Sequence, residues 1–135
     1  MLRYPGIAAV FVLLAFGVVQ SAGATVRTGA AGAKSVKVTA GKPSEFAFTL
    51  STKKVALGAV AFSVKNGGSL SHDFEVCSLP MKKAVNSCNG KTTKLLAPGK
   101  SVVLRVVFKK KGTYAYLCTV PGHAAAGMKG TFTVS

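Results

Sequence analysis

Near the end of the chain a cysteine, a histidine and a methionine follow one another at equal intervals, Cys118, His123 and Met128. Thiolate, imidazole and thioether are soft or borderline donors, and three of them on one short loop suit a transition metal rather than magnesium or calcium. His72, the only other histidine, can bring a second imidazole from a distant segment. Two imidazoles, a thiolate and a weak axial thioether suit a single copper ion that passes one electron. Sulfur favours Cu(I), imidazole serves both oxidation states, and the mixed set accommodates either.

Each of these residues also has an ordinary role. A lone histidine between Ser71 and Asp73 is a surface or hydrogen-bonded side chain, a lone methionine fills core gaps, and a lone cysteine is a buried thiol. A Cys-His pair can serve as nucleophile and base in a hydrolase. The copper reading accounts for both histidines, the odd cysteine and the only methionine of the last segment together.

The cysteine count is three, and Cys118 is the odd one if Cys77 and Cys88 pair. Such a disulfide, closing a short loop in an oxidising compartment, stabilises by about 3 kcal/mol. The N-terminus agrees with that compartment. Arg3 is followed by an apolar stretch from Ile7 to Val19, and Ala22-Gly23-Ala24 has the small-x-small pattern that a signal peptidase cuts. Residues 1–24 are expected to be a signal peptide, and the protein to be exported to a periplasm or cell exterior. The stretch is short for a spanning helix, which takes about 20 residues, and an uncleaved anchor is the alternative.

Eighteen Lys and Arg face three acids, Glu45, Asp73 and Glu75, a formal charge of +15. An imbalance of that size concerns partners, acidic docking surfaces on redox proteins or an anionic membrane or cell wall, and its plainer reading is solubility with weak steering. The lysines are scattered in twos and threes with no nucleic-acid motif among them, and a monomer without a specific nucleic-acid partner is expected. Three scattered acids do not make a paired-carboxylate hydrolase, and no loop resembles a phosphate cradle. No enzyme activity is expected.

A chain of 135 residues makes one ordinary domain. Residues 25–34, rich in Gly, Ala and Thr, read as a flexible lead-in, and the domain is expected over 35–135. Short alternating runs then follow: Ser35 to Thr39; Phe46, Phe48 and Leu50; Val60, Phe62 and Val64; Ser71 to Val76 carrying His72; Val102 to Phe108; Gly112 to Cys118; Gly130 to Val134. Between Cys77 and Thr93 the periodicity fails and a loop is expected. About eight strands with this spacing predict an all-β, two-sheet antiparallel sandwich. Pro121 and Gly122 shape the loop that carries the donors, and Gly127 and Gly130 are expected to turn the backbone around Met128.

The motif Tyr114-x-Tyr116-x-Cys118-x-x-Pro121-Gly122-His123-x-x-x-x-Met128-x-Gly130 resembles the cupredoxins, the type 1 blue copper proteins of the plastocyanin/azurin superfamily. Ser71-His72-Asp73-Phe74 and Leu96-Ala97-Pro98-Gly99 match weaker signatures of the same family. The spacing of the loop is nearer to auracyanin and rusticyanin than to plastocyanin. The resemblance covers about the last hundred residues and implies a Greek-key sandwich with copper at one end. It also implies metal binding through Nδ1 of His72 and His123, an electron port at the His123 ring edge and an apolar docking patch at Ala124, Ala125 and Ala126. Asp73 stands where relatives often have Asn that bonds the ligand-loop backbone. The function expected is one-electron carriage between redox partners; a periplasmic copper chaperone or store is the alternative.

Overall fold

The computed structural model describes residues 34–135. The expected signal peptide and residues 25–33 lie outside this range. The first strand begins at Lys34, one residue inside the expected lead-in.

Among the described residues, nine strands form two packed sheets. The first sheet has the order β2-β1-β4-β7, built from β1 (Lys34–Ala40), β2 (Phe48–Leu50), β4 (Gly58–Asn66) and β7 (Ser101–Phe108). The second has the order β3-β9-β8-β5-β6, built from β3 (Lys54–Val55), β5 (Glu75–Cys77), β6 (Gly90–Thr92), β8 (Gly112–Leu117) and β9 (Lys129–Val134). The expected sandwich is present, with a difference of direction: β1 runs parallel to β4 and β3 parallel to β9. Hydrophobic alternation places a side chain on a face but is blind to the direction of the neighbouring strand.

Where the alternation was clear, the strands follow it. Val36, Val38, Val60, Phe62 and Val64 on one sheet meet Val76, Tyr114, Tyr116, Phe132 and Val134 of the other, with Phe74 from the segment just before β5, in a single core. Phe74 lies 5.2 Å from Phe48 and 5.5 Å from both Phe62 and Tyr116, bridging the sheets with aromatic contacts. Each such buried side chain contributes on the order of 1.5–3 kcal/mol.

Three local expectations are corrected. Phe46 lies outside β2 and is partly exposed. His72 is not inside a strand; it forms an isolated bridge with Leu96, and β5 begins only at Glu75. The segment expected as a loop contains β6, which pairs with β5. Its fully exposed Gly-Lys-Thr sequence has no inward face and so carries no alternation.

Cys77 and Cys88 form a disulfide with their Cα atoms 5.7 Å apart. The bond holds the 78–89 segment against the second sheet, where Met81 and Val85 pack on Cys77, Ala115, Leu117 and Ala124.

One end of the sandwich receives the close of β1, β4 and β8 and the start of β9. Asn66, fully buried at the end of β4, organises this end: its Nδ2 donates to the carbonyls of Leu70 and Leu96 at 2.7 Å, and its Oδ1 accepts from the Gly68 amide. A buried amide with all these partners fixes both loops that flank His72.

Candidate metal centre

His72 enters this end from the loop after β4. Its backbone amide donates to Leu96 and its carbonyl accepts from Leu96, so the residue is clamped in place. Cys118 follows β8 directly, and its amide donates to the Met128 carbonyl at 3.0 Å. The chain between them folds back on itself: the His123 amide donates to Val120, and the Met128 amide donates to His123, both at 3.0 Å. Gly122 (φ 85°) and Gly127 (φ 114°) supply the left-handed backbone that these reversals require. Gly130 does not turn the chain as expected. It lies in β9, where a Cβ would run into the Tyr116 ring, so glycine is needed there for close packing.

These loops bring together residues that are far apart in sequence. The Nδ1 atoms of His72 and His123 lie 3.2 Å apart, and His123 Nδ1 lies 3.6 Å from Cys118 Sγ. One ring nitrogen from each histidine and the thiol sulfur all fall within 4.8 Å of one another. Met128 is fully buried and packs with Cys118 and Ala40 beneath this cluster. Atoms that share one ion at roughly 2.0–2.3 Å must lie within about 4–4.5 Å of each other, and the spacings of His123 Nδ1 to His72 Nδ1 and to Cys118 Sγ meet that condition. The donor chemistry fits as well, since two imidazoles, a buried thiol and a thioether select copper over hard cations. Met81, by contrast, packs on the outer side of the second sheet.

The orientation of each ring has an identifiable cause. His72 is fully buried, and its Nε2 lies 2.7 Å from Glu45 Oε1. A proton held on Nε2 by a carboxylate leaves Nδ1 with a free lone pair for a metal. The Ser69 and Leu70 amides, and then His72, hold the Glu45 carboxyl down at about 2. His123 meets the Phe46 ring edge to face at 5.0 Å, and burial, followed by the neighbouring His72, lowers its pKa. Burial pushes the Cys118 thiol up to about 11, against the opposing pull of backbone hydrogen bonds. Taking up a cation there releases the thiol proton.

Asp73 links the two ligand segments. Its Oδ1 accepts from the Thr119 amide at 2.6 Å, and its Oδ2 accepts from the Thr119 hydroxyl. The acid thus makes the backbone bond that the resemblance implied for this position. Ala125 and Ala126 are exposed beside His123, but Ala124 is buried against Ala115 and Leu117, which reduces the expected patch.

Glu45, Phe46, Asn66 and Thr119 were not singled out as site residues. Glu45 is one of only three acids, and in so basic a chain that scarcity was the available signal. Nothing in its spacing ties it to His72, 27 positions away.

Residues 34–135 match the model of the copper binding proteins of the plastocyanin/azurin family. Auracyanin-B of Chloroflexus aurantiacus is 49% identical over 43 residues, which cover 32% of this chain and 18% of that protein. Less than a fifth of that relative's length is therefore matched. Among solved structures, reduced auracyanin from Roseiflexus castenholzii superposes with a TM-score of 0.58 at 24% identity, covering 77% of this chain and 99% of that one. Auracyanin B gives a TM-score of 0.58 at 26% identity over 76% and 89% of the two chains. Rusticyanin from Thiobacillus ferrooxidans gives 0.54 at 24% identity over 75% and 76%.

Proposed function

The chain belongs to the plastocyanin/azurin family of copper-binding proteins, and on that premise we propose that it is an exported carrier of single electrons. In this reading one copper ion is held by Nδ1 of His72 and His123, Sγ of Cys118 and, more weakly, the thioether of Met128. The observation that carries it is the meeting of two imidazoles and the unpaired thiol at one buried point.

Copper bound there supplies a one-electron couple, Cu(I)/Cu(II). The chain's part is to keep the donors still and dry. Glu45 fixes the His72 ring, Asp73 ties the His72 segment to Thr119, and the two sheets anchor both segments. Buried Met128, together with Phe46 and Val120, keeps water from the donors. A site whose ligands do not rearrange adds little to the barrier for electron transfer. The partly exposed ring of His123 is the port, with exposed Pro121, Ala125 and Ala126 around it as the docking contact.

The charge distribution supports a steering role. None of the residues from Thr119 to Gly127 is charged. Lys109, Lys110 and Lys111 lie in the turn before β8, and Lys53 and Lys54 lie beside the end of β9, all at the pole opposite His123. The acids leave these lysines unmatched: Glu45 and Asp73 are engaged internally, and Glu75 is buried. The partners we propose are redox proteins with acidic surfaces, drawn in by the general positive field. The far pole is free to rest on an anionic membrane or cell wall. We assign residues 1–24 to a signal peptide, the following stretch to a lead-in, and the periplasm or cell exterior as the place of work. The open methionine and histidine cluster of a copper-delivery site is not found among the described residues, where Met81 and Met128 lie in separate clusters.

Copper loading and voltammetry test the proposal. An intense thiolate-to-copper band and a reversible one-electron wave are expected, both lost in Cys118→Ser. A colourless protein that retains only Cu(I) would instead favour copper delivery.

A further inference from the structure

Behind His72, on the side away from the other donors, Glu45 is held more firmly than a loop carboxylate needs to be. Its Oε1 accepts from the Leu70 amide at 2.9 Å and meets His72 Nε2 at 2.7 Å, and the Ser69 amide donates to both oxygens at 3.0 Å. A Cβ on Gly68 would stand against Glu45 Oε1 and His72 Nε2, and one on Gly41 would collide with Gly68. Gly41 itself has a φ of 74°. Two glycines thus leave the space in which carboxylate and imidazole meet. The Ser69 and Leu70 amides both donate to this carboxylate, which suits the ionised form.

We infer that Glu45 is a positioning residue of the proposed copper site: it holds the tautomer of His72 whose Nδ1 is free, and its fixed charge favours Cu(II) over Cu(I). The inference rests on the copper reading above and adds to it a determinant of the reduction potential. A carboxylate behind a ligand imidazole raises the basicity of that ligand. Reduction removes one unit of positive charge from the site, and with it part of the attraction to a nearby anion. The oxidised form is therefore the better stabilised, and the potential is lowered. A purely structural role, pinning the Ser69-Leu70 loop, would have no such electronic effect.

The full chain carrying Glu45→Gln separates the two roles. A glutamine oxygen at the Oε1 position keeps the bonds to His72 and Leu70 and one of the two from Ser69, while the charge is lost. Nitrogen NMR of the metal-free protein reads the His72 ring. The expected result is a proton on Nε2 and none on Nδ1 in wild type and Glu45→Gln, and mixed tautomers in Glu45→Ala. Competition titrations with Cu(II) and Cu(I) then give the two affinities. In Glu45→Gln their ratio is expected to fall about tenfold, a positive shift of about 59 mV for a one-electron couple, with the visible band retained. An unchanged ratio in a Glu45→Gln protein that still shows the band, or a wild-type His72 protonated on Nδ1, overturns this inference alone. A wild-type protein that takes up no copper overturns the copper reading and the Cu(II) bias with it.

Discussion

Asp73 accepts a hydrogen bond from the backbone amide of Thr119 at 2.6 Å, so that the neighbour of one proposed ligand holds the neighbour of another across 46 positions of sequence. The bond fastens the His72 segment to the strand end that presents Cys118. A charge-assisted bond of this kind is worth about 1.5–3 kcal/mol. Asp73→Ala is expected to lower the urea-unfolding free energy of the metal-free protein by that amount and to speed copper release. Asp73→Asn, which keeps an oxygen facing the amide, is expected to lose less. Equal losses in the two variants would show that the bond to Thr119 does not carry the effect.

Gly130 is expected to tolerate no side chain. Its missing Cβ is replaced by the Tyr116 ring, which is itself buried in the core and cannot swing aside. Overpacking of this kind costs about 1–3 kcal/mol. Gly130→Ala should show that loss in thermal or denaturant unfolding, and an unchanged midpoint would mean that the ring yields freely.

The disulfide lies on the outer side of the second sheet, and neither of its sulfurs belongs to the donor cluster. Replacing Cys77 and Cys88 together by alanine is expected to lower stability by about 3 kcal/mol. The thiolate-to-copper band should keep its position and intensity. A shifted band would show that the 78–89 segment shapes the metal centre.

Glu75 gives the pH dependence a distinct sign. Its carboxyl is buried, and its pKa is raised first by burial and second by the charge of Asp73. An acid with a raised folded pKa favours the folded state while protonated. That contribution is present below the unfolded value of 4.5 and is lost as pH climbs through the folded one. Glu75→Gln should therefore be more stable than wild type above this window and indistinguishable from it at the acid end. The urea midpoint measured across the window checks this, and a variant less stable at neutral pH would contradict it.

How far the sequence could be read depended on what each residue signals by itself. Val102 to Phe108 alternates because one face packs inward, and Tyr114 and Tyr116 mark the core face of the strand before Cys118, so both strands were legible. The pairing of Cys77 with Cys88 followed from an odd cysteine count, and the meeting of His72 with Cys118 and His123 from donor chemistry. The two-residue β3 and the fully exposed β6 carry no alternation, so neither was visible. Strand direction was hidden too, because β1 would show the same pattern beside β4 in either sense. Glu45 is the instructive omission. Its role depends on a loop contact that exists only once Gly41 and Gly68 have brought two segments together.

A crystal structure of the copper-loaded protein tests the account most directly. The expected result is one ion bonded to Nδ1 of His72, Nδ1 of His123 and Sγ of Cys118, with the Met128 sulfur at longer range. An ion held elsewhere, or one that leaves His72 on Glu45 and out of the coordination shell, would contradict it.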